Sequence, residues 1–284
     1  MIHFVGAGSG AADLITVRGA RLLAAADVVI WAGSLVNPAL LDGCREGCEI
    51  HDSARMTLEE VLGVMCAADA HGCDVVRLHT GDPCLYGAIQ EQMDALAARG
   101  VAFDVVPGVS SFCGAAAALR QEYTLPGVSQ SVVITRLQGR TPMPEGEDMA
   151  TMAKSGSTMV VFLSSGMLAE LSAELQAAGR DAAEPAALVY KATWPEEKVV
   201  RCTVGTLAEA AAREGIDRTA LVVVGRVLGA RGEALRSHGG AAGEAFAGGG
   251  AATGPSAGAP AAVAYERSKL YDPGFSTGYR KASE

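Results

Sequence analysis

Arg77-Leu78-His79-Thr80-Gly81-Asp82-Pro83-Cys84-Leu85-Tyr86-Gly87 is the stretch of sequence that decides the fold, because it joins a buried strand to a tight turn. The stretch 74–79, with Val75, Val76 and Leu78, is typical of a buried strand, and residues 86–99 have helical periodicity. Gly81 allows a sharp turn between them, which places Asp82 at the carboxyl end of a strand, where open α/β sheets bind ligands. An Asp before a Pro is also an ordinary turn or capping residue, and both interpretations of Asp82 stay open.

Strand and helix signals alternate from residue 1 to about residue 230. In the first half we predict strands over 1–5, 27–31, 74–79 and 103–106 and helices over 13–25, 57–70, 86–99 and 111–119. In the second half we predict strands over 131–135, 158–163, 186–190, 198–203 and 220–224 and helices over 167–178 and 207–214. Capping boxes at Thr57 with Glu60 and at Thr206 with Glu209 mark two helix starts. The sequence therefore predicts an α/β protein with two domains, 1–124 and 125–230.

The composition changes abruptly after residue 230. Residues 231–264 consist largely of Gly, Ala and small polar residues, which bury too little apolar surface to fold, so we predict a flexible linker. Residues 265–284 carry four of the fourteen aromatic residues of the chain. We expect this segment to dock on the folded body or on a partner subunit, and a disordered tail is the alternative.

Composition also excludes several functional classes. The net charge of -9 and the pI near 5.1 argue against a nucleic-acid footprint and against an anionic membrane surface. No apolar run approaches the ~18 residues that span a bilayer, and Met1 leads into a strand without a signal-peptide pattern, so we expect a cytoplasmic protein. The seven cysteines form no CxxC pair, which predicts reduced thiols and no protein-bound metal.

A glycine-rich motif follows the first strand. Gly6, Gly8 and Ala11 match the spacing by which a backbone approaches a pyrophosphate at a helix N-terminus. Dinucleotide binding also requires an acid at the end of the second strand, and residues 28–34 contain none. Binding of a nicotinamide dinucleotide is therefore disfavoured.

Taken together, these motifs resemble the tetrapyrrole methyltransferases. The resemblance covers about 1–230 and reappears over 268–280, and its markers are 4–8, 81–83 and 107–111. Stretches 32–38, 135–142 and 190–198 are similar to one branch, the enzymes that methylate C11 of precorrin-4 or cobalt-precorrin-4 in corrin-ring biosynthesis. The family's glycine loop usually continues Gly-Pro-Gly-Asp, whereas this chain has Gly8-Ser9-Gly10-Ala11.

The resemblance implies a fold, a reaction and a site. It implies two α/β domains with S-adenosylmethionine in the cleft between them, methyl transfer to a ring carbon, and a homodimer. The cofactor contacts that it implies are Gly8, Thr80, Gly81, Asp82, Leu85, Ser110, Ser111, Leu163, Ala192, Thr219 and Ala220. For the tetrapyrrole carboxylates we expect Arg136, Arg140 and Lys191, since guanidinium and ammonium groups pair with carboxylates, and Trp194 for stacking. Asp82 and Tyr86 are the catalytic candidates; His79 is a further candidate base, with a satisfied core histidine as the alternative.

The sequence leaves other functions open. Another precorrin or uroporphyrinogen C-methyltransferase would share most of the motifs, and a non-catalytic corrinoid-binding protein would explain the altered glycine loop. Relatives of the same architecture methylate ribosomal RNA or the diphthamide precursor of a protein, but neither function predicts the 191–198 stretch, and RNA fits poorly with the net charge of -9. A nicotinamide-dependent reductase lacks its ribose-binding acid.

Overall fold

The computed structural model describes residues 1–230 and the isolated positions 263, 265, 268, 276 and 281. The predicted linker (231–264) and docking segment (265–284) otherwise lie outside the described residues. Two compact units are present: Met1–Ala115 with Ala192–Pro195, and Ala116–Lys191 with the described residues from Glu196 onward. The domain ranges 1–124 and 125–230 stay predictions. No helix in the described part is long and apolar enough to cross a membrane.

The first unit is built on a parallel five-stranded sheet in the order β3-β2-β4-β1-β5. Its strands are β1 (Ile2–Gly6), β2 (Val28–Trp31), β3 (Glu49–Asp52), β4 (Val75–His79) and β5 (Phe103–Val106). β1 and β4 are buried along their whole length, because helices cover both faces of a parallel sheet. The predicted α/β class is thereby confirmed.

The helices of this unit are α1 (Val17–Ala25), α2 (Leu58–Ala70), α3 (Gln90–Ala97) and α4 (Ser111–Leu119), of which α4 begins here. Leu23 of α1 packs in the core on one face of the sheet, and Leu96 of α3 packs in the core on the other. The connections after the neighbouring strands β1 and β4 therefore leave to opposite faces. Such a divergence opens a crevice at the carboxyl ends of the two strands.

The second unit contains a mixed sheet in the order β6-β7-β10-β8-β9. Its strands are β6 (Val132–Arg136), β7 (Thr158–Phe162), β8 (Pro185–Tyr190), β9 (Lys198–Thr203) and β10 (Ala220–Val224), and its helices are α5 (Met149–Ala153), α6 (Leu168–Ala177) and α7 (Leu207–Glu214). Only β6 and β7 pair in parallel; the other three pairs are antiparallel. The core behind this sheet is formed by aliphatic residues such as Leu171, Leu188 and Leu207.

Most elements agree with the predicted bounds to within a residue, but two helix starts and one capping box differ. The capping box of α2 is confirmed, since the Thr57 hydroxyl accepts from Glu60 N at 3.2 Å and the Glu60 carboxylate accepts from Thr57 N at 2.7 Å. The box at Thr206 and Glu209 was wrong, because the Thr206 hydroxyl bonds to Thr203 instead. The helix predicted from residue 13 begins at Val17, where the Thr16 side chain caps it.

The helix predicted from residue 86 begins four residues later, at Gln90. Tyr86 (φ 55°) and Ala88 (φ 50°) adopt left-handed backbone conformations, so these residues cannot belong to a right-handed helix. Two short elements were missed altogether, β3 and α5. The first two residues of β3, Glu49 and Ile50, are exposed, so this edge strand lacks the pattern of buried apolar residues that predicts a strand.

A buried ion pair in the second unit joins Arg180 to Glu184. Arg180 donates to the Glu184 carboxylate at 2.6 Å and to the carbonyls of Ala153 and Ser157 at 2.9 and 2.6 Å. Burial raises the pKa of Glu184, and the attraction of Arg180 offsets this only in part. The carboxylate is therefore held in an apolar environment by its partner.

We predict that Arg180→Met lowers the free energy of unfolding by about 3–5 kcal/mol, because it leaves a buried carboxylate without its partner. In the double variant Arg180→Met/Glu184→Leu the loss should be clearly smaller, since no charge remains buried. Denaturant unfolding at neutral pH measures both. Equal losses would show that the two carbonyl contacts, and not the charge, carry the effect.

Candidate active site

Three turns meet at the carboxyl edge of the parallel sheet. The backbone of Gly8 pairs with that of Gly81 through hydrogen bonds of 3.3 and 2.9 Å, and Ala7 N donates to His79 O at 2.7 Å. Register places Gly6 opposite His79 and Val5 opposite Val106. Backbone hydrogen bonds thus join the glycine loop after β1 to the turn after β4, beside the end of β5.

The close approach of these turns requires glycine. A Cβ atom on Gly6 would lie 2.5 Å from Gly108 Cα and 2.7 Å from Gly81 O, distances that no side chain tolerates. Gly81 has φ 60°, the left-handed region that favours glycine. Three backbones therefore line one small area with no side chain between them, which suits a ligand that is recognised through main-chain groups.

Asp82 links two of the three turns. One carboxylate oxygen accepts from Cys84 N at 2.8 Å, within its own turn, and the other accepts from Gly108 N at 2.9 Å. Burial pushes the pKa of Asp82 up, but hydrogen bonds from the Cys84 thiol and backbone and from Gly108 N outweigh it, so the pKa lies below its ordinary value. Asp82 is an ionised, fully engaged carboxylate, a geometry that favours positioning over proton transfer.

The turn that carries Asp82 has a strained backbone, which side-chain hydrogen bonds from Arg77 and Gln92 stabilise. Tyr86 and Ala88 are left-handed, and Tyr86 is 46% exposed. The buried Arg77 donates to the Gln92 amide oxygen at 3.2 Å, and the Gln92 amide nitrogen donates to Ala88 O at 2.9 Å. Burial lowers the pKa of Arg77 to about 10, so it stays protonated at neutral pH. This chain of bonds ties the strained turn to β4.

His79 is buried directly beneath the same turn. Its side chain is 5% exposed with the ring 6.1 Å from that of Phe4, and its Nε2 has no hydrogen-bond partner among the described residues. Burial and, secondarily, the charge of Arg77 lower the pKa of His79 to about 3. The imidazole is neutral at physiological pH. The alternative of a satisfied core histidine was wrong, because Nε2 is buried without a partner among the described residues.

The serines after β5 start a helix. The Ser110 carbonyl accepts from the backbone N–H groups of Cys113 and Gly114 at 3.0 and 3.3 Å, the bonding of an N-cap residue. Its side chain is buried, and Ser111 is the first residue of α4. Thr80 is exposed and Leu85 half-buried in the turn after β4.

In the second unit, residues with left-handed backbone conformations lie at one end of the central strands of the sheet. Leu163 (φ 53°) follows β7, Lys191 (φ 45°) follows β8 and Thr219 (φ 53°) precedes β10, and Lys191 N donates to Thr219 O at 2.9 Å. The Ser165 hydroxyl bonds to both the carbonyl and the N–H of Ala220. The register of these antiparallel strands brings Leu163, Thr219 and Ala220 together, and Leu163 is 64% exposed.

The side chains predicted to bind the substrate differ in how many contacts they make with the protein itself. Arg136 donates to the carbonyls of Thr141 and Pro142 at 3.1 and 3.0 Å and so organises its own loop, on which Arg140 is exposed. The Lys191 ammonium lies 3.5 Å from a Glu196 oxygen and 5.7 Å from the centre of the Tyr190 ring.

Trp194 belongs to the first unit, with the segment Ala192–Pro195. Its indole packs against Gly10, where an added Cβ would lie 2.5 Å from the Trp194 Nε1. Two residues of this neighbourhood had no predicted role: Thr193, and Asn37, whose side chain donates to Gly10 O at 3.0 Å. Asn37 carried a weak signal, an Asn before a Pro at a helix start.

We predict that Asp82→Asn lowers the free energy of unfolding by about 1.5–3 kcal/mol, since an amide nitrogen cannot accept from a backbone N–H and one charge-assisted bond is lost. Asp148→Asn is the matched control, because Asp148 caps the short helix α5 and Asn is an equally good cap. Denaturant unfolding of both variants distinguishes them; equal stabilities would contradict the link through Gly108.

The stability of the fold should depend on pH through His79. Because the pKa of His79 is about 3 in the folded chain and 6.5 is its ordinary value, the unfolded chain binds more protons between these limits. This contribution is complete above pH 6.5 and is lost as the pH falls, by up to about 1.4 kcal/mol per pH unit. In His79→Leu the free energy of unfolding should depend less steeply on pH between 6.5 and the acid limit. Parallel slopes for the two proteins would refute the assignment.

A family model described as Tetrapyrrole (Corrin/Porphyrin) Methylases matches residues 1–208. The chain is 49% identical to the cobalt-precorrin-4 C(11)-methyltransferase of Methanocaldococcus jannaschii over 80% of this chain and 88% of that protein. It is 49% identical to the precorrin-4 C(11)-methyltransferase of Rhodococcus erythropolis over 81% of this chain and 93% of that protein.

Two solved structures show the same fold. The X-ray structure of a cobalt precorrin-4 methyltransferase of cobalamin biosynthesis is 45% identical and has a TM-score of 0.78, covering 80% of this chain and 95% of its own. The uroporphyrin-III C-methyl transferase from Thermus thermophilus, complexed with S-adenosylhomocysteine, is 28% identical with a TM-score of 0.68, covering 82% and 96%. The chain therefore belongs to the tetrapyrrole (corrin/porphyrin) methylases.

Proposed function

We propose that this protein transfers the methyl group of S-adenosylmethionine to C11 of precorrin-4 or of cobalt-precorrin-4. The observation that carries the proposal is the 49% identity to methyltransferases of these two names, over 88% and 93% of their lengths. Because the identities to the two kinds of enzyme are equal, the cobalt content of the substrate is left to the experiment.

The cofactor supplies an activated methyl group on a sulfonium sulfur. The meeting of the Gly6, Gly81 and Gly108 backbones fits a ligand held largely by main-chain groups. The solved structure of a uroporphyrin-III enzyme contains S-adenosylhomocysteine, the thioether that remains when the cofactor has lost its methyl group. The ionised Asp82 adds a fixed negative charge to the same turn. As cofactor residues we propose Gly8, Thr80, Gly81, Asp82, Leu85, Ser110, Ser111, Leu163, Ala192, Thr219 and Ala220.

Of the two catalytic candidates, Tyr86 stays the proposed catalytic residue, whereas Asp82 becomes a positioning residue. Both of its carboxylate oxygens accept backbone N–H groups, so we assign it to holding the turn and not to abstracting a proton. Tyr86 is exposed on the strained part of the same turn. Fixing the reacting groups in line is the main source of rate in a displacement that needs no enzyme nucleophile.

The tetrapyrrole carries several carboxylates, and we propose that Arg136, Arg140 and Lys191 meet them, with Trp194 beside the ring. Arg140 is the side chain best placed for direct pairing, because it is exposed while Arg136 is occupied by carbonyls of its own loop. Arg136 then acts chiefly by shaping the loop that presents Arg140. The homodimer and the cytoplasmic location stay predictions.

The proposal is tested by incubating the protein with S-adenosylmethionine and, in separate reactions, precorrin-4, cobalt-precorrin-4 and uroporphyrinogen III. We expect one added methyl group by mass on one or both precorrin-4 substrates, at C11 by NMR. Methylation of uroporphyrinogen III alone would reassign the substrate. Corrinoid binding without methyl transfer to any substrate would refute the enzyme assignment.

We further predict that Arg140→Ala weakens binding of the tetrapyrrole by about tenfold, the loss expected for a charge-assisted bond, and leaves the affinity for S-adenosylhomocysteine unchanged. Arg213→Ala is the matched control: Arg213 is an exposed arginine of α7, which packs on β8 and β9 at the other end of the sheet from β6. Titration calorimetry measures both ligands. An equal effect of the two substitutions would reduce the role of Arg140 to general charge.

A further inference from the structure

The glycine loop of the first unit is held by a side chain from far along the sequence. The Thr193 hydroxyl accepts from Ala11 N at 3.0 Å and bonds to the Ser9 hydroxyl at 3.1 Å, across separations of 182 and 184 residues. Thr193 itself has φ 67°. A left-handed backbone is costly for a β-branched residue, so the surrounding contacts must hold it in place.

Ala192 and Trp194, the neighbours of Thr193, also contact the glycine loop. The Trp194 indole and the Ala192 carbonyl lie against Gly10, where an added Cβ would come within 2.5 and 2.7 Å of Trp194 Nε1 and Ala192 O. Gly10 has φ 154°. The segment 192–194 therefore covers the loop with both a hydroxyl and an aromatic ring.

Ser9 lies at the centre of this arrangement. It is 6% exposed, and on α4 a Cβ atom at Gly114 would lie 2.7 Å from Ser9 Cβ and 3.3 Å from Thr193 Cγ2. The loop, the 192–194 segment and the first turn of α4 thus lie in close contact, with no room for a side chain at Gly114.

We propose that Thr193 is a positioning residue for the cofactor, a role that rests on the proposed methyltransferase function. Its hydroxyl fixes the Ser9 side chain and the Ala11 N–H, and thereby the conformation of the Gly8–Ala11 loop. Gly8 is in turn paired with Gly81, in the turn that carries Asp82. The hydroxyl of Thr193 acts through the backbone of the loop and needs no contact with the reacting atoms.

The test compares Thr193→Val, which keeps the shape and removes the hydroxyl, with Thr193→Ser, which keeps the hydroxyl. Thr193→Val should raise the Kd for S-adenosylhomocysteine about three- to tenfold, the loss of about one hydrogen bond, and Thr193→Ser should restore it to within about twofold. Hydrogen exchange of the Ala11 amide should accelerate in Thr193→Val only. Tetrapyrrole affinity should be unchanged in both.

Thr57→Val is the matched control, because Thr57 also accepts a backbone N–H, at the start of α2 and outside the proposed site. It should lower the thermal midpoint without changing the Kd or the Ala11 exchange. Ser9→Ala should add nothing in the Thr193→Val background, since the two hydroxyls act as one unit.

The outcomes separate this inference from the proposed function. Equal S-adenosylhomocysteine affinity for the wild type and Thr193→Val would overturn the positioning role and leave the methyltransferase assignment standing. Failure of the wild type to bind S-adenosylhomocysteine would overturn both. Weakening by Thr193→Ser as large as that by Thr193→Val would overturn the role of the hydroxyl.

Discussion

The first unit depends on one constraint, the contact of three backbone turns at the carboxyl edge of a parallel sheet. The sheet order makes β4 and β5 the two neighbours of β1, so the turns that follow them have to meet. They meet without clashing only because Gly6, Gly81 and Gly108 lack side chains. Asp82 then fixes the contact, since its carboxylate accepts one N–H from its own turn and one from Gly108. The lowered pKa of Asp82 follows from that geometry, and it assures that the link is present at neutral pH.

Strain is concentrated where the proposed site lies. Left-handed residues other than glycine cost about 1–3 kcal/mol each and persist only when neighbouring bonds hold them. Ala88 is held through Gln92 and Arg77, and Lys191 through its bond to Thr219. Such positions leave the backbone preorganised before a ligand binds, because the ordering cost is met during folding.

The regular elements could be predicted from the sequence because their signals are local. The strand 103–106 and the helices 111–119 and 207–214 follow from apolar periodicity, and the structure has the same bounds. The prediction of a helix from residue 86 was wrong, because no local sequence signal indicates the left-handed conformations of Tyr86 and Ala88. Arg77 stabilises this turn through a tertiary contact with Gln92. The partnership of Ser9 with Thr193 could not be predicted either. Two hydroxyls 184 residues apart give no periodic signal, and only the folded chain brings them together.

Burial also changes which cations are available to a polyanionic substrate. Composition counts every arginine alike, yet Arg77 and Arg180 are buried, and Arg201 and Arg226 donate to backbone carbonyls. A guanidinium committed in this way contributes to the fold, because withdrawing it to pair with a ligand would leave buried carbonyls unsatisfied. Recognition of carboxylates by a chain with a net charge of -9 therefore has to rest on a few exposed cations placed on loops. Arg140 meets that requirement, and the Arg136 guanidinium, bound to the carbonyls of the same loop, limits the conformations from which Arg140 can reach a ligand.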